Sequence, residues 1–243
     1  MFKKAIKKFF SILGLQISKA QKPGGPDKFT LNGQITLFEW LRDYKFATII
    51  DVGANEGQFV DKIAGVFPDA CIHCFEPIKS VYEQLTARFY GNKNLITYNF
   101  GLGETSEERM IHLNEYSPSS SLLDMLDLHK TNFDFAVKSE PACISLKRLD
   151  DVFTSPPTSP VLLKIDVQGY EMNVLKGGDR VARAADVVII ETTFTPLYKD
   201  QPLFAEIYDY FVARGFRYAG NIEQLISPKN YQILQADAVF IKS

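Results

Sequence analysis

Hydrophobic positions after residue 28 follow two alternating spacings. Continuous apolar runs at Thr48–Val52, Cys71–Phe75 and 95–100 have the length and composition of buried strands. Between these runs, apolar residues recur every three or four positions, as they do along one face of a helix. The same alternation resumes after residue 160. Strands that alternate with helices in this way predict an α/β fold with a parallel sheet and crossover helices.

The predicted helices are bounded by proline or glycine. They carry Phe59, Ile63, Val66 and Phe67; Ile78, Val81, Leu85 and Phe89; the segment 170–176; and Leu203, Phe204, Ile207, Tyr208 and Phe211. The remaining predicted strands are 110–113, 143–146, 161–167, 187–191, 216–219 and 236–241, the last two as an antiparallel pair. The polar stretch 115–141 is too long for a plain connection and predicts a lid or substrate loop.

Charge divides the chain into two parts. The 243 residues are 46% hydrophobic and 23% charged, with a net charge of −2, which is the composition of an ordinary globular protein. Residues 1–28 contain seven lysines and one aspartate, a net +6, which leaves −8 on residues 29–243. We therefore expect a basic N-terminal segment, 1–28, followed by a single domain, 29–243.

The first 17 residues have an amphipathic pattern. Apolar side chains recur at helical spacing, with lysines on the opposite side: Phe2, Ile6, Phe9 and Leu13 against Lys3, Lys4, Lys7 and Lys8. This pattern predicts a helix that lies on an anionic membrane surface. A tail packed on the domain and a secretory signal cleaved after Ser18-Lys19-Ala20 are the two alternatives. No run approaches the ~18 apolar residues that span a bilayer.

The cysteines point to a reducing compartment. Three cysteines, Cys71, Cys74 and Cys143, form no framework of disulfide bridges, which favours a cytoplasmic protein. Any membrane contact would then be peripheral, at the inner face of the membrane and through residues 1–17. Cys71-Ile72-His73-Cys74 has zinc-like spacing, but residues three apart on a strand face opposite sides. We therefore expect buried strand cysteines there and predict no metal site.

A glycine-containing turn follows the first strand. In Asp51-Val52-Gly53-Ala54-Asn55-Glu56-Gly57, the glycines allow a tight turn and close approach of a ligand at the carboxyl edge of the sheet. Glu76 ends the next strand, 25 residues after Asp51, where a carboxylate can accept both hydroxyl protons of a ribose. The two features predict a nucleoside-bearing cofactor.

The glycine spacing narrows the choice of cofactor. Dinucleotide sites need G-x-G-x-x-G and P-loops need G-x-x-x-x-G-K-[ST], whereas this turn has G-x-x-x-G. An acidic residue inside the turn, Glu56, would repel a phosphate. A cofactor with a sulfonium cation and an α-amino group tolerates this environment better.

With these motifs, the sequence resembles the FkbM family of S-adenosylmethionine-dependent methyltransferases over residues 48–241. The matching pieces are the turn 51–57; Phe75-Glu76-Pro77; Ser119-Ser120-Ser121-Leu122; Leu149-Asp150-Asp151; and the segment 163–171 followed by Val174-Leu175-Lys176-Gly177. The segment 164–177 is the most specific of these, because the turn alone would indicate only the broader class.

The resemblance implies a Rossmann-like class I methyltransferase fold. This fold has a mostly parallel seven-stranded sheet with helices on both faces and an antiparallel C-terminal strand. The implied cofactor is S-adenosyl-L-methionine, and the implied reaction is methyl transfer to a hydroxyl of a sugar, glycan or glycosylated metabolite. The expected cofactor-binding residues are Asp51, Gly53, Ala54, Asn55, Gly57, Glu76, Pro77 and Asp166.

Methyl transfer to a hydroxyl also needs a group that removes the proton. Asp166, at the carboxyl end of its strand, is the first candidate, and Glu171 in the following helix is the second. Lys164 points the same way as Asp166 by strand alternation, so these two are expected to pair. Asp166 could instead cap the helix or bind the cofactor amine, and Glu171 could serve only the helix dipole.

Several other side chains have two interpretations. His112 and His129 could be the base or surface imidazoles. Asp166 with Glu171 or Glu191 could hold a divalent cation. Ser119, Ser120 and Ser121 could bind acceptor hydroxyls or begin a helix at Leu122. Tyr170, Phe194, Tyr198 and Trp40 could stack on a sugar ring, although core packing is the default.

Other functional classes remain open. A non-catalytic protein that binds a nucleoside cofactor would lack the segment 164–171, which this chain has. The glycine spacing disfavours a nicotinamide-dependent oxidoreductase. The net charge of residues 29–243 is unsuited to nucleic acid, so we expect a small-molecule or glycan acceptor.

Overall fold

The computed structural model describes residues 38–114, 122–123 and 139–243, with side chains described for all of these except 112–114 and 139–141. The basic segment 1–28, the three serines at 119–121, His129 and most of the predicted loop 115–141 therefore lie outside the described residues. So does the side chain of His112.

Seven strands form one sheet. The strands of this sheet are β1 (Thr48–Val52), β2 (Cys71–Phe75), β3 (Leu95–Tyr98), β7 (Val161–Ile165), β8 (Val187–Thr193), β9 (Phe216–Ile226) and β10 (Ile233–Lys242). Their order is β3-β2-β1-β7-β8-β10-β9. All neighbouring pairs are parallel except those that β10 makes with β8 and β9. This confirms the predicted mostly parallel sheet with an antiparallel C-terminal end.

Three further strands form a small sheet of order β4-β6-β5. They are β4 (Gly101–Leu102), β5 (Glu107–Asn114) and β6 (Ser139–Lys147). Because β6 begins at residue 139, the last three residues of the predicted loop 115–141 belong to a strand. The third strand of the large sheet is also shorter than the predicted 95–100, since the chain leaves that sheet after Tyr98 and enters the small one.

Helices cover both faces of the large sheet. They are a 3₁₀ helix (Glu39–Tyr44), α1 (Gln58–Ile63), α2 (Lys79–Arg88), α3 (Leu149–Val152), α4 (Glu171–Gly177), α5 (Asp179–Ala184) and α6 (Phe204–Val212). Alternate residues of β1 enter two separate cores. Ile50 packs with Val174 and Phe211 on one face, and Ile49 packs with Val60 and Leu85 on the other. The strand period of two thus distributes one apolar run between two helical layers.

Candidate active site

The turn between β1 and α1 requires both of its glycines. Gly53 has φ +80°, and a Cβ at this position would lie 1.9 Å from the carbonyl oxygen of Asp166. Gly57 has φ +88°, and its Cβ would lie 2.3 Å from the ring of Phe89. The amides of Gly53 and Ala54 both donate to the carbonyl of Phe75, at 3.1 and 3.0 Å. The turn is therefore pressed against the carboxyl ends of β7 and β2, where only glycine can close it.

Glu76 is held at the end of β2 by two backbone amides. Its Oε2 accepts the Asn55 amide at 3.1 Å, and its Oε1 accepts the Ile78 amide at 2.8 Å. The side chain is 4% exposed, and its burial outweighs these hydrogen bonds and raises the pKa of Glu76 to about 7. Each carboxylate oxygen has a second lone pair. Glu76 can therefore accept two further hydrogen bonds, as a pair of ribose hydroxyls would require.

Lys164 connects two carboxylates beneath the turn. Its Nζ lies 3.3 Å from Oδ2 of Asp166 and 3.5 Å from Oδ1 of Asp51. Burial alone would lower the pKa of Lys164, but Asp166, Asp51 and Asp237 together raise it above its ordinary value. The predicted pairing of Lys164 with Asp166 is present. Lys164 is accordingly a fixed positive charge with no proton to exchange near neutral pH.

Asp51 is completely buried. Within the described part of the chain, neither of its oxygens accepts a hydrogen bond, and only the charge of Lys164 compensates it. Burial raises the pKa of Asp51 despite that lysine. Asp51 does not line the cavity, so it has no direct contact with a ligand there.

Glu171 is occupied by the backbone of the loop that precedes α4. It is 2% exposed, and its Oε1 accepts the amides of Val167 and Gly169, both at 3.1 Å. Burial raises the pKa of Glu171 to about 7 against these hydrogen bonds. The carboxylate therefore fixes the loop that carries Asp166.

A cavity of about 310 Å³ lies at the carboxyl edge of the sheet. Of the site residues predicted from the sequence, the structure brings these to its wall: Gly53, Ala54, Asn55, Glu76, Pro77, Lys164 and Asp166. Asp51, Gly57 and Glu171 support the wall from behind and do not line it. The small sheet closes the other side with Ile111, Ile144 and Leu146, next to Leu122 and Tyr170.

Sequence reasoning missed several polar residues of the wall. Asp237 lies within the apolar strand β10, and burial raises its pKa to about 6. An isolated acid inside the run 236–241 was a signal that could have found it. Lys62 and Glu223 form an ion pair of 2.8 Å at the same cavity, and Gln168 also lines it. The ion pair joins α1 to β9, which no local pattern could indicate.

The cysteines and, apart from Tyr170, the candidate stacking residues do not line the cavity. Cys74 is buried, and burial raises the pKa of its thiol; Cys71 is half-buried on the opposite face of β2. In the residues that the structure describes, no three His, Cys, Asp or Glu side chains are grouped to hold a metal ion. Tyr198 is fully buried, whereas Trp40 and Phe194 are about two-fifths exposed.

The donor set of the cavity fits S-adenosyl-L-methionine. Glu76 has hydrogen-bonding capacity for a ribose, and the aliphatic side chains of the small sheet offer an apolar surface for a base. The carboxylates of Asp166 and Asp237 suit a sulfonium cation and would repel a phosphate. Bound there, the cofactor would be held by Glu76 and by the backbone around Gly53, with Asp166 near its cationic end.

Fold and site together define a class I, Rossmann-like methyltransferase that depends on S-adenosyl-L-methionine. Within that class, the chain belongs to the FkbM family, because the profile described as "Methyltransferase FkbM domain" matches residues 51–218. The family, the fold and the cofactor expected from the sequence are thereby confirmed.

Two curated relatives each resemble more than half of the chain. The AMB antimetabolite synthetase AmbE of Pseudomonas aeruginosa is 30% identical in an alignment 168 residues long, which covers 57% of this chain and 8% of AmbE. Methyltransferase 1 of Beauveria bassiana is 27% identical in an alignment 146 residues long, which covers 54% of this chain and 58% of that protein. The chain thus spans less than two thirds of either relative.

One solved structure of the family shares the fold. The crystal structure of methyltransferase FkbM from Methylobacillus flagellatus KT superposes with a TM-score of 0.50 at 14% identity. The match covers 81% of this chain and 44% of that one.

Within the described residues, no helix combines the length and hydropathy of a membrane span.

Proposed function

We propose that the protein is an O-methyltransferase that acts on a hydroxyl of a sugar, glycan or glycosylated metabolite. The observation that carries the proposal is that one cavity presents both Glu76, suited to a ribose, and Asp166, suited to receiving a hydroxyl proton. When bound, S-adenosyl-L-methionine supplies an electrophilic methyl group. The chain's own residues must then place an acceptor oxygen in line with it and take its proton.

Asp166 is the proposed base. Its Oδ2 is held by Lys164 and its Oδ1 by the amide of Gln168 at 3.0 Å, so the carboxylate is fixed in one orientation at the cavity wall. Because each oxygen has a second lone pair, both hydrogen bonds leave room for an acceptor hydroxyl. Lys164 is proposed as a positioning residue. Glu171 has the same kind of role, since it holds the loop and lies off the cavity.

Binding and transfer experiments test the proposed function in that order. Calorimetric titration with S-adenosyl-L-methionine and S-adenosylhomocysteine should give dissociation constants in the micromolar range, with no heat from NAD as the control. Methyl transfer from labelled cofactor to a panel of free sugars, glycosides and lipid-linked sugars should then identify the acceptor. Binding of NAD in place of the sulfur ligands would favour an oxidoreductase, and transfer to nitrogen or carbon alone would contradict O-methylation.

Substitution of the proposed base separates catalysis from cofactor binding. Asp166→Asn keeps the size and one acceptor oxygen, and we expect it to lower turnover by about 100-fold or more while cofactor affinity changes little. Steady-state rates with the acceptor found in the panel, and calorimetry with S-adenosylhomocysteine, measure the two effects. Asp69→Asn, at an exposed aspartate, is the control. A larger loss of affinity than of turnover would make Asp166 a cofactor ligand.

A further inference from the structure

Gln168 links two carboxylates that come from different strands. Its Nε2 donates to Oδ1 of Asp166 at 3.0 Å and lies 3.2 and 3.1 Å from the two oxygens of Glu191. An amide nitrogen has two hydrogens, so one serves Asp166 and the other is shared by both oxygens of Glu191. Asp166 follows β7 and Glu191 lies on β8. A single side chain thus spans the carboxyl ends of two neighbouring strands.

The loop is built to hold this amide in place. Gln168 has φ +54°, a left-handed conformation that is uncommon for residues other than glycine and asparagine. Glu171 fixes the peptides on both sides of it by accepting the amides of Val167 and Gly169. The hydroxyl of buried Tyr198 donates to Oε1 of Gln168 at 3.1 Å, which fixes which end of the amide faces the carboxylates. The backbone and both ends of the side chain are therefore constrained.

The pair of carboxylates lies in a strongly negative environment. Burial, with the charges of Asp166, Glu171 and Asp237, raises the pKa of Glu191 well above its ordinary value, and Lys164 only partly opposes this. Gln168 keeps the carboxylate of Glu191 close to that of Asp166 through the hydrogen bonds of its amide nitrogen. An isolated carboxylate is a weak acceptor for a hydroxyl proton near neutral pH. A second negative charge held beside a carboxylate makes it a better acceptor for that proton.

We propose that Gln168 is a positioning residue that joins Asp166, which lines the cavity, to Glu191, which does not, as one proton-accepting pair. The inference rests on the proposed role of Asp166 as the base. In the reaction, the acceptor oxygen gains the methyl group and loses its proton, and the electron pair of the broken carbon–sulfur bond stays on sulfur. Asp166 receives the proton from the acceptor, and Glu191 in its ionised form supplies the second negative charge that favours this transfer.

The test needs no knowledge of the acceptor. Sinefungin is a cofactor analogue in which a carbon bearing an amine replaces the methylsulfonium, so its ammonium probes the place where the methyl group is transferred. The ratio of the dissociation constants of S-adenosylhomocysteine and sinefungin, measured by calorimetry between pH 5 and 8.5, reports the negative charge at that place. The proposal expects wild type to prefer sinefungin, with a preference that grows as Glu191 loses its proton.

Two variants test the pair, one at the bridging amide and one at a carboxylate. Gln168→Asn suits the left-handed backbone but is too short to reach both carboxylates, and Glu191→Gln removes one charge from β8 without changing size. The matched controls are Gln84→Asn and Glu83→Gln on the exposed side of α2. We expect both test variants to lower the preference for sinefungin about fivefold or more, with little change for S-adenosylhomocysteine. In Glu191→Gln, the pH dependence of the preference should also move to lower pH.

The outcomes separate this inference from the proposed function. If wild type binds neither ligand, both fall together. If wild type binds S-adenosylhomocysteine without preferring sinefungin, or if both variants keep the wild-type preference and pH dependence while Asp166→Asn loses them, Asp166 acts alone and only the inference is overturned. Loss of both ligands in Gln168→Asn with an unaltered Glu191→Gln would show that Gln168 only maintains the fold, and would also overturn it.

Discussion

At the scale of single residues, two opposing effects determine the pKa of Glu76. Its burial favours the neutral acid, whereas two backbone amides favour the carboxylate, and burial prevails. Its proton therefore leaves near neutral pH and not near pH 4.5. A ribose hydroxyl donates more strongly to an ionised carboxylate than to a neutral acid. Cofactor affinity should accordingly depend on the ionisation of this one residue.

We expect S-adenosylhomocysteine to bind up to about tenfold more weakly at pH 6 than at pH 8, because a group with a pKa of about 7 is mostly protonated at the lower pH. Because the ligand binds the ionised carboxylate more tightly than the neutral acid, its affinity is highest above this pKa and decreases as the pH falls through it. Calorimetry across this range measures the effect. Glu76→Gln should bind more weakly throughout and lose most of the pH dependence. If Glu76→Gln shows the same pH dependence of affinity as wild type, a carboxylate other than Glu76 is responsible for it.

The site residues that could be predicted from the sequence lie directly at the end of a strand. Glu76 and Asp166 could be predicted because each ends a recognisable apolar run, and the carboxyl ends of parallel strands meet at one edge. Gln168 could not be assigned a role in this way. Its contact with Glu191 depends on a left-handed backbone angle and on the pairing of β7 with β8. Such contacts are properties of the assembled sheet.

At the scale of elements, the turn between β1 and α1 joins the cofactor loop to the proposed base. The amide of Asp166 donates to the carbonyl of Val52 at 3.0 Å, and Gly53 leaves no space for a Cβ beside the Asp166 carbonyl. Any enlargement at Gly53 must therefore displace both strand ends. The cofactor loop and the segment that carries the proposed base are therefore structurally coupled.

Substitution of Gly53 by alanine should damage folding and binding together. We expect Gly53→Ala to lower the free energy of unfolding by about 2 kcal/mol or more, because the new Cβ meets backbone and the φ angle is unfavourable. It should also abolish binding of S-adenosylhomocysteine. Thermal unfolding and calorimetry measure the two effects. Gly65→Ala is the matched control, because its φ is not positive and a Cβ added there would have no neighbouring atom within 4 Å. Equal behaviour of the two variants would contradict the role of Gly53.

Element boundaries were predictable where burial determines them. Strands β1 and β2 have the predicted bounds because every residue of β1, and most of β2, is inside the core. Strand β9 runs well beyond the predicted 216–219, since its exposed edge pairing with β10 is held by backbone hydrogen bonds and needs no apolar pattern. Strand β10 begins at Ile233, before the predicted 236–241, because it includes the buried polar residue Gln235. Helix α1 ends at Ile63, although Val66 and Phe67 remain buried in the turn that follows.

At the scale of the whole molecule, the basic segment and the cavity are close along the chain. Phe38, the first described residue, lines the cavity and packs edge-on against Phe59 of α1, with ring centroids 5.4 Å apart. Residues 1–28 carry +6, whereas the rest of the chain carries −8. We propose that residues 1–17 bind an anionic membrane surface at its cytoplasmic side. Such contact would hold the cavity near a lipid-linked or surface glycan, which would supply the acceptor hydroxyl.

Lysine substitutions in the full-length protein test this proposal. Lys3→Glu combined with Lys7→Glu should weaken binding to vesicles rich in phosphatidylglycerol by at least about tenfold, since each lysine near an anionic surface contributes about 1 kcal/mol. Lys19→Glu with Lys22→Glu makes the same change in net charge outside the amphipathic pattern and should weaken binding less. Vesicle sedimentation measures the binding, with pure phosphatidylcholine as the neutral control. S-adenosylhomocysteine affinity should be the same in all variants. Equal losses in the two double variants would indicate diffuse electrostatic attraction, and no loss in either would remove the membrane from the function of this segment.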